Sequence, residues 1–278
     1  MESGKYEDAV KAFQNALGES IGHIGEKELD ICFYKAKAQA LDGKTKDALA
    51  TYNAIIKYNK DARAYYLRGD LYMDMGEEKK GRADFESAVQ QGKKNYEIYI
   101  GIYESLSRHE KKDEGQKYLS AAMEIKGDKP EDELYKGRIS YLLGENKDAI
   151  SYLEKAKEHK QMLASYYLGL AYDANGDSDK AKKCIAEYIK SGVATSYDLY
   201  ELGMQEMQDG NYKNALTYFN SGLELEKVPN KQNLMKSAIA AYEYSGDFDS
   251  AKKMMKEYLK AYPDDEEAKH ENTFLETR

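Results

Sequence analysis

The sequence of 278 residues contains no tryptophan, only three prolines and only two cysteines. Three prolines are too few for a proline-rich linker, and no stretch shifts in composition enough to mark a domain boundary. Cys32 and Cys184 lie far apart and each falls within an apparent helix, so a disulfide framework is not expected. The longest apolar runs, such as Ile98–Ile102, span a few residues and are too short to cross a membrane.

The chain also lacks long segments of a single charge sign, because acidic and basic residues are interspersed throughout. Charged residues make up 33% of the chain, and 50 acidic against 42 basic residues give a net charge of −8. Such a surface repels phosphate backbones, so we expect no nucleic-acid partner. The abundant aromatic residue is tyrosine, with 26 copies beside six phenylalanines. We expect most tyrosines to pack in the core with their hydroxyls at its rim.

A short phrase recurs along the chain, and each copy begins at an anchor that is glycine in all copies but one. The anchors are Gly4, Gly43, Gly76, Glu110, Gly144, Gly176, Gly210 and Gly246. Typical copies read GKTKDALATY at Gly43 and GNYKNALTYF at Gly210. Successive anchors are 32 to 39 residues apart, which is the period of helix-turn-helix repeats. The anchor glycine suits the end of a first helix, where a positive φ is required.

Two columns within the phrase predict how the helices pack. Five residues after each anchor the column reads Ala9, Ala48, Gly81, Gly115, Ala149, Ala181, Ala215 and Ala251. Four residues further on it reads Phe13, Tyr52, Phe85, Leu119, Leu153, Ile185, Phe219 and Met255. Residues four apart share a helix face, so a large apolar side chain lies beside each small one. The small residue permits the usual approach of ~8–10 Å between helix axes.

A third column of small residues stands seven positions before most anchors, on the first helix of each pair. It reads Ala36, Gly69, Gly137, Gly169 and Gly203. Tyr103 and Ile239 occupy the same position before Glu110 and Gly246, so we expect the packing of those two pairs to be adjusted.

Phrases such as YYLRGDLYMDMG, YYLGLAYDANG and YELGMQEMQDG resemble the tetratricopeptide repeat family. The resemblance covers nearly the whole chain and implies an all-α, right-handed superhelical solenoid of antiparallel helix pairs, with about seven and a half repeats and a C-terminal cap helix. We expect one solenoid domain over 1–278. It would comprise a partial first repeat in 1–18, seven repeats in 27–263 and a polar capping helix in 264–278.

The two ends differ, because Met1 stands only three residues before Gly4 and most of one helix of the first pair is missing. We therefore expect the natural chain to begin further upstream. The Lys-, Tyr- and Glu-rich composition without tryptophan resembles bacterial extracytoplasmic lipoproteins. That resemblance implies membrane attachment through a missing N-terminal segment, with a cytoplasmic location as the alternative.

Residues for catalysis or metal binding are not in evidence. No Gly-x-x-x-x-Gly-Lys-Ser/Thr loop occurs. The histidines His23, His109, His159 and His270 lack the three- or four-residue spacing that places two ligands on one metal, and we expect them on the surface. No nucleophile has a recognisable signature. We therefore expect no enzymatic activity, no cofactor and no metal.

Within the resemblance, the first helices line a concave face, and its exposed positions stand 13, 10, 6 and 3 residues before each anchor. In the N-terminal half these positions mix acids with apolar residues such as Met73, Ile100 and Leu134. Toward the C-terminus they are mostly aromatic or apolar, which is typical of protein interfaces. The candidate peptide-binding residues are Tyr66, Tyr141, Leu163, Tyr166, Leu170, Tyr197, Tyr200, Met204 and Met207.

The alternative for these side chains is that they simply pack against adjacent helices. The leading functional hypothesis is a scaffold, monomeric or weakly oligomeric, that binds a protein or peptide. A second hypothesis is a sensor that binds a peptide or other ligand and signals to a missing N-terminal segment. Fold alone does not choose between them.

Overall fold

The computed structural model describes residues 6–19, 25–127 and 129–278. Over these ranges the chain forms sixteen α-helices and no strand, so the all-α prediction is confirmed. The helices are α1 (Tyr6–Glu19), α2 (Glu26–Leu41), α3 (Thr45–Asn59), α4 (Ala62–Asp74), α5 (Glu78–Gln91), α6 (Tyr96–Arg108), α7 (Lys112–Met123), α8 (Pro130–Leu143), α9 (Asn146–Glu158), α10 (Leu163–Ala174), α11 (Ser178–Lys190), α12 (Ser196–Gln208), α13 (Tyr212–Leu223), α14 (Lys231–Ser245), α15 (Phe248–Ala261) and α16 (Glu266–Leu275). The predicted anchor Gly4 and the predicted surface histidine His23 lie outside the described residues.

Helices that follow one another in the chain pack as pairs, from α2 with α3 to α14 with α15. Helix α1 precedes the first pair and packs against α2, while α16 follows the last pair and packs against α15. We call the earlier helix of each pair the first helix and the later one the second. None of the helices in the described ranges is both long and apolar enough to span a bilayer.

The chain divides into two compact units at Lys190, a position that no shift in composition marks. Unit 1 contains α1 to α11, and its apolar clusters bring together the side chains of neighbouring pairs. Unit 2 runs from Ser191 to Arg278 and contains α12 to α16. One of its clusters joins α13 to α14, and the other joins α14 and α15 to α16.

The two predicted columns form the centre of the helix pairs. From Ala48 to Ala251 every small residue of the first column is buried, and so is every large residue from Tyr52 to Met255. Only the first copy differs, because Ala9 and Phe13 are half-buried on α1. The packing prediction is therefore confirmed for the seven complete pairs.

Four pairs share one close contact between the glycine of the first helix and the large side chain of the second. A Cβ atom placed on the glycine would lie 2.8 Å from Phe85 at Gly69, 2.4 Å from Leu153 at Gly137, 2.4 Å from Ile185 at Gly169 and 2.2 Å from Phe219 at Gly203. Where Tyr103 replaces this glycine, the small residue of the second helix adapts. A Cβ atom on Gly115 would lie 3.1 Å from the Tyr103 Cα atom, so Gly115 provides the space that Tyr103 occupies.

The anchors end the first helices as predicted. The glycine anchors from Gly43 to Gly246 have φ between 73° and 84°, and Glu110 has φ of 61° although it carries a Cβ atom. Among the residues that follow the anchors, Asp177 and Asp247 each accept a hydrogen bond from the backbone N–H three positions on. Glu77, Glu145 and Asn211 make no such bond in the described structure.

The C-terminal helix α16 begins after Asp265, whose side chain accepts a hydrogen bond from the Ala268 N–H at 3.1 Å. Ala268 and Leu275 are buried against the last pair. Phe274, the other large apolar side chain of this helix, is 43% exposed. Helix α16 therefore covers the end of unit 2 with only part of its apolar surface.

The expectation that most tyrosines pack in the core is wrong. Seven tyrosines are buried, and the others are half-buried or exposed. Tyr72 and Tyr242, for example, pack on the rim of a helix pair, because two layers of helices are too thin to enclose a long ring with its hydroxyl. Cys184 is buried, but Cys32 is only half-buried, and both thiols are free.

Replacement of Gly203 by alanine tests the contact between the helices of a pair. Alanine favours a helix over glycine by ~1 kcal/mol, but overpacking a buried site costs about 1–3 kcal/mol, and the Phe219 ring would have to move. We expect Gly203→Ala to lower the free energy of unfolding by about 1–2 kcal/mol in urea denaturation. Gly18→Ala is the control, since no atom lies within 4 Å of its Cβ position on α1. A stabilised Gly203→Ala variant would show that the helices are not in close contact.

Replacement of Glu110 by glycine tests the turn. A left-handed conformation costs a residue with a Cβ atom about 1–2 kcal/mol, and Glu110 is exposed at φ 61°. We expect Glu110→Gly to raise the free energy of unfolding by about 1 kcal/mol. Glu110→Ala removes the same carboxylate but keeps the Cβ atom, so it should give no gain. Equal effects of the two substitutions would exclude backbone conformation as the cause.

Candidate functional site

The nine candidate residues lie on four first helices. Leu163, Tyr166 and Leu170 form a stripe along α10 in unit 1, which we call the α10 stripe. The α12 stripe of unit 2 consists of Tyr197, Tyr200, Met204 and Met207. In each stripe the residues are three or four positions apart and so share a helix face. All nine side chains are half-buried or exposed.

In the α10 stripe, Leu163 is the most exposed side chain, with 36% of its surface accessible. The ring of Tyr166 lies 5.3 Å from the ring of Tyr188 on α11 and 5.1 Å from that of Tyr167. Tyr166 therefore packs against the partner helix with one part of its ring. The α10 stripe combines packing with an accessible apolar surface.

In the α12 stripe, Tyr197 is 52% exposed. The ring of Tyr200 lies 6.2 Å from that of Phe219 on α13, and the Met204 sulfur accepts a hydrogen bond from the Ser237 hydroxyl at 3.6 Å. Tyr200, Met204 and Met207 all contact the apolar cluster around Phe219. Packing against adjacent helices thus accounts for part of this stripe, and Tyr197 is its most accessible member.

Tyr66 and Tyr141 are more closely tied to the core of unit 1. A Cβ atom on Gly101 of α6 would lie 2.6 Å from the Tyr66 ring, so this tyrosine fills the space left by that glycine. Burial raises the pKa of the Tyr66 hydroxyl well above its ordinary value. Burial also raises the pKa of Tyr141, which packs on the cluster around Leu168.

Three apolar positions of the N-terminal half are not exposed, and their prediction as groove residues is wrong. Met73, Ile100 and Leu134 are 2%, 0% and 8% exposed. A Cβ atom on Gly81 would lie 2.7 Å from the Met73 sulfur, which shows how closely the methionine packs on α5. The side chains at these three positions therefore pack in the interior and are not accessible to a ligand.

Ion pairs connect successive first helices across this N-terminal part of unit 1. They are Arg63–Asp30 at 2.9 Å, Arg108–Asp70 at 2.6 Å and Arg138–Glu104 at 3.0 Å. Arg138 also lies 3.3 Å from Glu97, and its side chain is 18% exposed. Charged side chains of these successive first helices therefore bind one another.

A cavity of about 780 Å³ lies between α14, α15 and α16 in unit 2. This C-terminal cavity is lined by Lys236, Ile239, Ala240, Glu243, Tyr244, Phe248, Met255, Tyr258, Glu267, Ala268, His270, Glu271 and Phe274. Three of these residues, Lys236, Ala240 and Glu243, stand 10, 6 and 3 residues before Gly246. They therefore occupy positions of α14 that the repeat spacing predicts to be exposed. The walls from α15 and α16 were missed, because no repeat column predicts contacts with the last helix.

Two sequence-family models, both described as tetratricopeptide repeat, match this chain. One matches residues 1–57 and 35–96, and the other matches residues 163–191 and 232–265. Together they cover more than half of the sequence. The chain belongs to the tetratricopeptide repeat family. No curated protein sequence matches it.

Solved structures with the tetratricopeptide fold resemble the chain at low identity. Yeast Tom70 is 15% identical, with a TM-score of 0.63 over 98% of this chain and 58% of its own. A tetratricopeptide repeat protein from Parabacteroides merdae ATCC 43184 is 12% identical, with a TM-score of 0.52 over 86% of this chain and 93% of its own. A chain of the APC/C hetero-tetramer Cut9-Hcn1 is 16% identical, with a TM-score of 0.49 over 98% of this chain and 53% of its own. This chain thus spans little more than half of the Tom70 and Cut9-Hcn1 chains. At such low identity, the resemblance to Tom70 and to the Parabacteroides merdae protein shows a common fold alone.

Two carboxyl groups near the C-terminal cavity of this tetratricopeptide repeat protein have opposite environments. Asp265 lies 2.8 Å from the Lys236 ammonium and accepts hydrogen bonds from the Tyr258 hydroxyl and the Ala268 N–H, which lower its pKa. Burial, with a further contribution from the adjacent Glu271 carboxylate, raises the pKa of Glu243 to about 6. Ionisation of Glu243 in the cavity therefore destabilises the folded protein.

Replacement of Glu243 by glutamine tests this environment. The folded-state pKa of about 6 exceeds the ordinary value of 4.5, so the stabilising effect of the bound proton is fully present below 4.5 and is lost as the pH rises through 6. The free energy of unfolding of Glu243→Gln should therefore match that of wild type below pH 4.5 and exceed it above pH ~6. Tm measured against pH reports the difference.

Glu226→Gln is a matched control, because Glu226 is an exposed glutamate of the same unit. Its Tm curve should run parallel to that of wild type. A Glu243→Gln curve that also runs parallel would contradict the raised pKa.

Proposed function

We propose that this chain is a non-catalytic scaffold that holds a segment of another protein against the exposed faces of its first helices. The accessible apolar stripes carry the proposal. Tyr197 and Leu163 expose 52% and 36% of their surfaces beside half-buried tyrosine and methionine side chains. Rigid aromatic and adaptable thioether side chains are residue types that dominate protein interfaces.

Family membership supports a partner of this class, because stacked helix pairs present extended surfaces suited to peptides and proteins. Each stripe lies within one unit and is a binding surface by itself. Location in a bacterial cell envelope, which the lipoprotein resemblance implies, stays a prediction.

Alanine at Tyr197 and at Leu163 tests where the segment binds. Both side chains are accessible, so their removal should change Tm little, while truncation of an interface anchor weakens binding about tenfold or more. Peptides selected from a displayed random library on the full chain are the probe. We expect their affinity, measured by fluorescence anisotropy, to fall about tenfold for at least one of the two variants.

Tyr58→Ala is the control, because Tyr58 is 55% exposed on α3, a second helix, and so matches Tyr197 in type and exposure. Affinity for the selected peptides should be the same as that of wild type. Undiminished affinity in both Leu163→Ala and Tyr197→Ala would place the binding surface elsewhere.

A further inference from the structure

The C-terminal cavity combines an apolar wall with an acidic one. Phe248 and Met255 of α15 and Phe274 of α16 contribute apolar surface, and Glu243 and Glu271 contribute carboxyl groups. Its volume of about 780 Å³ falls within the ~300–1,000 Å³ typical of ligand pockets. The cavity lies wholly within unit 2, and Lys236, Ala240 and Glu243, at the predicted exposed positions of α14, line it.

The carboxyl group of Glu243 is incompletely satisfied. Its Oε1 atom is buried and has no hydrogen-bond partner among the residues described, although the carboxyl group lies within hydrogen-bonding reach of the Glu271 carboxyl group. A buried acceptor without a donor costs about 1–3 kcal/mol, and a buried charge without a counterion costs more. A cationic group that entered the cavity would reduce the repulsion between Glu243 and Glu271, which both line it.

The charges already present do not fulfil this role. The charged or titratable side chains that line the cavity around Glu243 are Lys236 on the same helix, Tyr244 at the end of that helix, Tyr258 on α15, and Glu267, His270 and Glu271 on α16. Lys236 binds Asp265 at 2.8 Å and lies 3.7 Å from Glu267. Its charge is therefore neutralised outside the Glu243–Glu271 pair, and the acidic wall keeps a negative charge.

The aromatic wall already accepts a cation. The guanidinium of Arg278 lies 4.8 Å from the ring centroid of Phe274 and 5.7 Å from that of Phe248. These distances are those of cation–π contacts, in which the ring face attracts a positive charge. Arg278 does not itself line the cavity. Arg278 therefore neutralises neither acid from within the cavity and contacts these rings from outside it.

We propose that the C-terminal cavity binds a lysine or arginine side chain, together with an adjacent apolar residue, from a segment of the partner protein. The positive group pairs with Glu243 and Glu271, and the apolar residue contacts Phe248, Met255 and Phe274. This inference rests on the proposed function, because it takes the ligand to be a protein segment. It names the chemistry of that segment.

Peptides from a displayed random library, selected on the full chain at neutral pH, test the proposal. We expect enrichment of a basic residue next to an apolar one. Each enriched peptide is then synthesised in its native form and with glutamine in place of the basic residue. Replacement of the basic residue should weaken binding to wild type about tenfold. Glu243→Gln should weaken the native peptide by a similar factor and leave the glutamine peptide unaffected, so the two changes are coupled.

Two controls separate this coupling from general attraction to an acidic protein or from unfolding. Glu226→Gln removes the same charge from an exposed site in unit 2 and should leave the affinity unchanged. Glu243→Gln is expected to be at least as stable as wild type at neutral pH, so weaker binding by this variant is not caused by unfolding.

The outcomes distinguish the cavity from the scaffold. Basic peptides whose affinity depends on Glu243 support the inference. Peptides without a basic residue, or basic peptides that bind Glu243→Gln as well as wild type, overturn it. If such peptides still lose affinity in Tyr197→Ala or Leu163→Ala, the scaffold function stands without the cavity. If no peptide is enriched, both proposals fail.

Discussion

The contact between a glycine on the first helix and a large side chain on the second is the constraint on which this fold depends. At Gly69, Gly137, Gly169 and Gly203 the space for a Cβ atom is already filled by the partner helix. Helices this close exclude water from the contact between them, so the large side chains in that contact are buried. The pair thereby covers one apolar face of each of these first helices, and the side chains of the α10 and α12 stripes lie beside that face.

Within unit 1, ion pairs distinguish the N-terminal first helices from α10. Arg63, Arg108 and Arg138 each bind an acid on the preceding first helix. The more exposed pairs of Arg63 and Arg108 contribute only ~0–1 kcal/mol each to stability, so they matter less for folding than for which charges remain available on the surface. A partner would have to displace them to reach the charged positions. The α10 stripe consists of leucine and tyrosine side chains, so contact with it displaces no ion pair.

Much of the fold could be predicted from the sequence because repeat packing is local. The columns of small and large residues act between helices that adjoin in the chain, so spacing alone identifies them. The burial of the other first-helix positions depends on contacts within and between pairs that no single column fixes, and there the prediction failed. Met73, Ile100 and Leu134 occupy exposed positions in an idealised repeat but are buried here. The division of tyrosines between core and rim failed for a different reason, since two layers of helices are too thin to enclose a long ring with its hydroxyl.

The C-terminal cavity depends on contacts that no repeat could reveal. Glu271 and Phe274 belong to α16, which follows the helix pairs and lies outside the predicted columns. A signal was nevertheless present, since Phe274 is a large apolar residue on a polar helix and Glu243 holds a first-helix position. Only the packing of α16 on the last pair brings Phe274 and Glu243 to one cavity.

Glu243 and Asp265 show why the two acids of this region have different roles. Asp265 caps α16, binds Lys236 and accepts the Tyr258 hydroxyl, so its negative charge stabilises the folded chain. Glu243 has a buried oxygen without a donor in the described structure and a second carboxylate beside it, so its charge opposes folding. Glutamine would fill the same space without that penalty. A carboxylate that destabilises the free protein is typical of a functional site, where the missing positive charge comes with the ligand.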